Sequence, residues 1–469
     1  MSDHNLVTFN FEDKNFLVDD KGNVVTYSDI CNLTRRVEKV IPKRSLILLL
    51  CENSNDVIKS YLAFIANEVI PILISKDTSM EIVKDLINSY QPNFVLVPND
   101  IVNLENLNSV VLSFDTCKLF RCNESMYPIY SELALLLPTS GSTGGLKLVR
   151  LSYENIKSNA LAIKEYLKID RDEKAILSLP MFYTYGLSII NSHFLAGATV
   201  YVTSKRIYDK AFWDFFDASK CTSFANVPHG YELIDKFKIF RKPHNSLRYL
   251  TQAGGHLPID LQSKIAQFAK DNKIDFFVMY GQTEATARIS YVNPKDVDSL
   301  LGSIGKPIPG GEMFLVNKEK KRISEPMRIG EIVYKGKNVA LGYALSKTDL
   351  EIGDEWNNVL YTGDLGYFDI EGNFYVTGRK SRFVKMLGVR ISLDDIERLI
   401  GKKFGIQCAV VGRDERLCIF IVDKEYVSKI KEYIFKNMNI NKSFIQCSII
   451  QKIPYNLNGK VDYKLLSEL

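Results

Sequence analysis

Short apolar runs alternate with stretches of helical spacing over the first four-fifths of this chain, and that rhythm restricts the possible folds more than any other feature. Leu46–Leu50 reads as a buried strand, Asn55–Ala66 as a helix and Ile70–Ile74 as the next strand. A helix over Glu81–Tyr90 and a strand over Phe94–Val97 follow. The pattern returns at Ala175–Leu179, Ala198–Val202, Ser223–Val227 and Phe276–Met279, with helical stretches between. Strands alternating with helices in this way belong in parallel sheets covered on both faces. From about Gly302 to Tyr375 glycines and prolines punctuate short strands such as Glu331–Lys335, the texture of a β-rich subdomain. After Gly378-Arg379 a smaller α+β segment begins, with helical Leu393–Ile400 and Lys429–Phe435 and strand-like Cys418–Val422. The expected fold class is α/β. A large N-terminal domain of parallel-rich α/β subdomains plus a β-rich subdomain spans residues 1–380, and a small α+β C-terminal domain spans 381–469.

Composition excludes several classes. With 46% hydrophobic and 25% charged residues the chain is globular rather than disordered. A formal net charge of +5 on 469 residues is too small to imply nucleic acid. The segment from Ser381 onward carries roughly +6, so the remainder is near neutral and the basic end suits phosphates or an acidic partner. The N-terminus is polar and acidic without an apolar signal core. No run reaches the ~18 apolar residues of a membrane span; Tyr61–Ser75 comes nearest and is broken by Asn67, Glu68 and Pro71. The eight cysteines form no CxxC pair and read as reduced core thiols. No His has metal-ligand spacing, and His193, in an apolar stretch, reads as a packed core residue. A soluble, cytoplasmic protein is the expectation.

In α/β folds ligands bind where loops leave the carboxyl ends of strands, and four motifs fall in such places. Pro138-Thr-Ser-Gly-Ser-Thr-Gly-Gly-Leu-Lys147 follows the apolar run Leu133–Leu137. Its glycines let backbone N–H groups approach an anion, and Lys147 adds a point charge. It is neither a Walker loop nor GxGxxG, and by itself it also reads as a flexible Ser/Gly loop. Tyr280-Gly-Gln-Thr-Glu284 offers a ring to stack on a purine, a hydroxyl for a phosphate and a carboxylate for Mg²⁺; by itself it is a turn with a buried Tyr. Tyr361-Thr-Gly-Asp-Leu-Gly366, with Gly378-Arg379 downstream, places a carboxylate in a tight turn suited to ribose hydroxyls; by itself it is a hairpin turn with a surface ion pair. Asn456-Leu-Asn-Gly-Lys460 is a lysine in a polar turn.

Taken together and in this order, these motifs resemble the adenylate-forming superfamily of acyl-CoA synthetases, peptide-synthetase adenylation domains and luciferases. Matching stretches also occur at Leu179–Gly186, Ala253–Leu257, Gly302–Pro307 and Gly330–Gly336, so the resemblance covers nearly the whole chain. It implies a mobile C-terminal domain, with ATP and Mg²⁺ as cofactors. A carboxylic acid would be joined to AMP and then passed to a thiol of coenzyme A or of a carrier protein's phosphopantetheine. By the resemblance, Thr139, Ser140, Gly141, Ser142, Thr143, Gly144 and Lys147 hold the β- and γ-phosphates. Tyr280 stacks on adenine, Gly254 and Gly255 line its slot, Thr283 touches the α-phosphate and Glu284 holds Mg²⁺. Asp364 binds the ribose hydroxyls with Arg379 beside it. Lys460 bridges the reacting carboxylate and the α-phosphate, Ser381 stands at the hinge, and Lys385 to Gly388 enter for thiol attack. Phe182, Tyr183, Tyr185, Gly186, His229, Gly281 and Gln282 line the acyl pocket, which lacks the acidic residue an α-ammonium would need. A small to medium acyl or aryl acid is therefore expected.

The chain departs from the family pattern in four places. Leu146-Lys147-Leu148 replaces Pro-Lys-Gly, Tyr183 replaces a common His, Ser381 replaces Asp or Lys, and the span from Gly388 to Lys460 is short. The short span and the basic end keep an acidic carrier protein beside coenzyme A as acceptor. Other readings are an amino-acid-activating ligase that loads a carrier, a ligase passing the adenylate to an amine or to oxygen chemistry, and a degenerate member that binds nucleotide as a regulatory module.

Overall fold

The computed structural model describes residues 11, 13–101, 109–138, 147–241, 244–380, 382–386, 389–413, 416–438, 440–456 and 459–469. The chain divides into two compact units, Met1–Glu312 with Lys335–Leu360, and Met313–Tyr334 with Tyr361–Leu469.

The first unit is built on two large sheets. In one, Leu46–Cys51 and Ile70–Ser75 run parallel with Leu46 opposite Ile70, and every residue of both strands is buried. A strand buried on both faces meets only apolar side-chain surroundings above and below the sheet, so the runs LILLLC and IPILIS select this central position. Leu133–Pro138 pairs parallel with Ile70–Ser75 and antiparallel with Leu148–Ser152, Pro138 opposing Leu148. The segment between Pro138 and Leu148 thus joins two neighbouring strands. Gly342–Ala344 closes this edge against Leu148–Ser152.

The other sheet stacks Lys174–Leu177, Ser223–Asn226, Tyr249–Gln252 and Asp275–Tyr280 in parallel. The carboxyl ends of the last three lead into Val227, Ala253 and Gly281, so the expected site segments leave one end of one sheet. A core that includes Phe212, Phe216, Phe224, Tyr231 and Phe276 packs around it. Helices are started by side chains that satisfy their free N–H groups. Thr26 with Asp29, and Ser152 with Asn155, form capping boxes for Tyr27–Val40 and Tyr153–Tyr166.

In the second unit, strands Arg322–Ile323, Glu312–Val316, Gly330–Lys335, Val359–Phe368 and Phe374–Arg379 lie side by side in that order. The hairpin Phe383–Met386 and Val389–Ser392 follows. Cys408–Arg413, Arg416–Ile421 and Ile445–Ile449 then form a further sheet with helices Leu393–Phe404 and Val427–Met438. All eight cysteines are free thiols, six of them buried. Among the described residues no helix is long and apolar enough to cross a membrane.

Candidate active site

Strand Asp275–Tyr280 ends in a loop that folds back on itself. Gly281 makes this possible, because a Cβ there would lie 1.7 Å from the Ala287 carbonyl oxygen. Thr283–Ala285 form a single 3₁₀ turn, closed by Ala285 N–H to Gln282 O at 3.0 Å and Thr286 N–H to Thr283 O at 3.0 Å. Thr286 (φ 54°) and Ala287 (φ 108°) then take left-handed conformations, which cost a branched or ordinary side chain energy and are kept where the surroundings over-determine them. Here the Thr286 hydroxyl donates to Asn338 O at 2.7 Å, and Asn338 Nδ2 donates to Ala285 O at 2.8 Å. The loop holds Thr283 and Glu284 in fixed positions.

Thr283 meets a second predicted segment: its Oγ1 lies 2.8 Å from Thr184 Oγ1. Thr184 opens the helix Thr184–Ala196, and Gly186 allows that start, since a Cβ would meet Pro180 O at 2.2 Å. Tyr185 hydrogen-bonds Thr251 between hydroxyls at 2.8 Å. Tyr183 reaches a third predicted segment: a Cβ on Gly254 (φ +88°) would lie 2.4 Å from its hydroxyl oxygen. Burial pushes the Tyr183 phenol up to about 12, so it stays a neutral donor. Gly255 O accepts from Gln252 Nε2 at 2.9 Å. Phe182 is partly buried, and Gln282 Nε2 donates to the Tyr280 hydroxyl at 3.4 Å. His229, near the start of helix Pro228–Lys236, puts Nδ1 3.2 Å from Glu232 Oε2.

Glu284 is held from the side by Tyr343, whose hydroxyl donates to Oε1 at 2.9 Å. Lys147 Nζ stands 3.4 Å from the centroid of the same ring, a cation–π contact. Burial and the Glu284 charge raise the Tyr343 pKa, which keeps its proton available for the carboxylate. The strand beneath is fixed by Arg150, fully buried, whose Nε donates to Tyr343 O at 3.0 Å and whose Nη2 pairs with Glu355. Asn155 Nδ2 ties the same region down through Lys337 O and Val339 O, each at 2.7 Å. Thr139, Ser140, Gly141, Ser142, Thr143 and Gly144 lie outside the described residues.

The second unit carries the remaining predicted groups. Asp364 is 4% exposed and opposes Arg379 across a strand pair, with Arg379 Nε donating to its Oδ1 at 3.0 Å. The expected tight turn is absent: Gly363 (φ +73°) is a left-handed residue inside the strand Val359–Phe368, and the Thr362 hydroxyl accepts from the Asp364 N–H at 3.1 Å. Lys385 sits on a strand opposite Arg390. Lys460 closes a tight turn in which its N–H donates to Asn456 Oδ1 at 3.1 Å and its carbonyl accepts from Asn456 N–H at 2.8 Å. Ser381 and Gly388 lie outside the described residues.

Three predicted segments of the first unit therefore converge, through Thr184–Thr283 and Tyr183–Gly254. Sequence reading missed Tyr343 and Arg150. Among the described residues no group of three or more His, Cys, Asp or Glu is arranged for a metal. A single oriented carboxylate, Glu284, fits Mg²⁺ that arrives on nucleotide phosphates, since Mg²⁺ is commonly held by one or two carboxylates plus phosphate oxygens.

Residues 8–344 match the model of a family described as AMP-binding enzyme. The chain is 26% identical to a 2-succinylbenzoate–CoA ligase of Oceanobacillus iheyensis over 85% of this chain and 83% of that protein. It is 25% identical to an oxalate–CoA ligase of Saccharomyces cerevisiae over 76% and 67%. The structure of o-succinylbenzoate CoA synthetase (MenE) from Bacillus subtilis in complex with the acyl-adenylate OSB-AMP superposes with a TM-score of 0.78 at 20% identity, covering 96% of this chain and 95% of that one.

Proposed function

Because this chain belongs to the AMP-binding enzyme family, we propose that it activates a carboxylic acid with ATP and then transfers the acyl group to the thiol of coenzyme A. It is an AMP-forming acid–thiol ligase. In the first step a carboxylate oxygen attacks the α-phosphorus, giving acyl-AMP and releasing pyrophosphate. In the second the thiol sulfur attacks the acyl carbonyl, and AMP leaves.

The observation that carries this reading is the line Lys147–Tyr343–Glu284. It sets an ammonium over the face of one aromatic ring and a carboxylate on that ring's hydroxyl, beside Thr283 at the end of a parallel sheet. The chemical problem is to bring a carboxylate to a phosphorus already ringed by negative oxygens. A preplaced donor at such a centre is worth about 10²–10³ in rate. Lys147, at the end of the expected phosphate segment, and Thr283 would donate to phosphate oxygens, and Glu284 would hold Mg²⁺, which when bound neutralises phosphate charge. In the second unit Asp364 with Arg379 would take the ribose, and Lys460 would reach the reacting oxygens. Rotation about a hinge near Ser381, between a domain of residues 1–380 and one of 381–469, would exchange Lys460 for the Lys385 strand between the two steps. The acid is a small to medium acyl or aryl acid.

Incubating the protein with ATP, Mg²⁺ and an acid panel, then adding coenzyme A, tests the order of events. Mass spectrometry should show acyl-AMP first and acyl-CoA only after the thiol is added. Acyl-AMP that coenzyme A leaves untouched, but phosphopantetheinylated carrier protein consumes, would assign the acceptor to a carrier. The basic segment from Ser381 favours that second reading, because it carries roughly +6 and suits an acidic partner surface.

A further inference from the structure

In the second unit Cys408–Arg413 is the outermost strand of its sheet, and charged side chains bond its free side where a further strand would otherwise pair. Val410 N–H donates to Glu397 Oε1 at 2.7 Å, and Val410 O accepts from Arg382 Nη2 at 2.9 Å. Glu397 and Arg382 also pair with each other, Nη2 to Oε1 at 2.8 Å. Arg382 pairs with Asp394 as well, three residues before Glu397 on one face of the helix Leu393–Phe404. Asp394 reaches past Ser381 in the chain, where its Oδ2 accepts from the Arg379 N–H at 2.7 Å. All three charged side chains are about one-fifth exposed, so water screens their pairing little.

Tyr463 closes this group. Its hydroxyl donates to Glu397 Oε2 at 2.9 Å, and Arg382 lies over its ring with the guanidinium 3.7 Å from the centroid. Burial and the Glu397 charge raise the Tyr463 pKa, so the phenol keeps its proton for the carboxylate. Tyr463 stands three residues beyond Lys460 and begins the helix Tyr463–Glu468. The two stems of the Lys460 turn are joined just before it: Val461 bridges to Tyr455, and the Asp462 N–H donates to Pro454 O at 2.9 Å. The Tyr463 hydroxyl then ties those stems to helix Leu393–Phe404. Farther on, Leu466 is fully buried with Ala409, Val411 and Phe420, so the C-terminal helix is held by packing that does not involve that hydroxyl.

We propose that Tyr463, held by Glu397 and Arg382, is a positioning residue for Lys460 in the adenylation step. A group that must meet a reacting phosphoryl centre loses about 10²-fold in rate when displaced by about 1 Å. The Tyr463–Glu397 bond restrains the stem that carries Lys460, and the Arg382 pair and the Val410 backbone fix Glu397 in turn. This assignment rests on the adenylation reading and adds residues that act through Lys460 alone.

The test is a double-mutant cycle on the full chain, read by single-turnover assays of each half-reaction. Tyr463→Phe keeps the ring under Arg382 and removes only the hydroxyl. Acyl-AMP formation should fall about tenfold, while thiolysis of chemically prepared acyl-AMP changes less than about twofold. In a Lys460→Ala background the same substitution should lower acyl-AMP formation by less than about twofold further, because the residue it positions is gone. Glu397→Gln, which keeps the shape and removes the charge that the hydroxyl meets, should give the same split between half-reactions; it decides the matter if Tyr463→Phe fails to fold. Equal losses in both half-reactions, unchanged adenylation in Tyr463→Phe, or losses that multiply in the double variant would overturn the assignment. Those results with an active wild type leave adenylation standing, whereas a wild type that forms no acyl-AMP from any acid removes both.

Discussion

The Tyr343 hydroxyl donates a hydrogen bond to Glu284 Oε1 at 2.9 Å, across 59 residues of sequence. It fixes the carboxylate expected to orient Mg²⁺, while the other end of the arrangement, the ring face, receives Lys147. Tyr343→Phe keeps the ring and removes the proton donor. A hydrogen bond to a charged group is worth about 1.5–3 kcal/mol, so adenylation kcat should fall about tenfold or more. The Mg²⁺ concentration for half-maximal rate should rise with it. A Mg²⁺ titration of the variant checks both, and an unchanged titration would separate Tyr343 from the metal-binding carboxylate.

Gly281→Ala should abolish adenylation and lower the melting temperature, because the new Cβ would sit 1.7 Å from a backbone oxygen that cannot swing away. Gly401→Ala is the control. It lies in the helix Leu393–Phe404 with Ile406 O at 3.8 Å as the nearest contact, and Gly to Ala in a helix stabilises by about 0.5–1 kcal/mol. Thermal melts of the two proteins should move in opposite directions.

Stability should fall as the pH drops below that of an ordinary histidine. His193 is buried, with Nδ1 2.8 Å from Ile189 O, and burial holds its pKa below 6.5. The unfolded chain takes up a proton near pH 6.5 that the folded chain refuses. The stability contributed by neutral His193 is therefore complete above pH 6.5 and is lost as the pH falls toward its folded value, by at most about 1.4 kcal/mol per pH unit. Melting temperatures between pH 8 and pH 5.5 should decline below 6.5, and His193→Gln should flatten that part of the curve.

Lys460→Ala should cut acyl-AMP formation by about 10²–10³. Thiolysis of chemically prepared acyl-AMP should change less than about tenfold, because Lys460 is assigned to the first half-reaction only. Single-turnover assays of each half-reaction read the split. Equal losses in both would give Lys460 a structural role in its turn instead.

Strands Leu46–Cys51 and Ile70–Ser75 were legible because the apolar runs Leu46–Leu50 and Ile70–Ile74 have no polar residue to face water and so one place to go in an α/β sheet. Helix Asn55–Ala66 was legible from its spacing, and the structure adds the Ser54 cap that starts it. Boundaries moved where turns decided them: Ser223–Val227 ends as a strand at Asn226, since Val227 precedes the helix begun by Pro228. The motif residues Thr283, Glu284, Asp364 and Lys460 were visible as local patterns. Tyr343 and Tyr463 were not, because their importance lies in what they touch. Tyr343 meets Glu284 only after Gly342–Ala344 pairs with Leu148–Ser152. Tyr463 meets Glu397 across 66 residues of sequence, a pairing no spacing rule carries.

The central claim is that this chain adenylates a carboxylic acid, and ATP–pyrophosphate exchange with Mg²⁺ across a panel of carboxylic acids and amino acids tests it most directly. Exchange that appears only when one acid or a narrow group of acids is added is the predicted result. Bound ATP with no acid-dependent exchange across the whole panel would contradict the claim and favour a nucleotide-binding regulatory role.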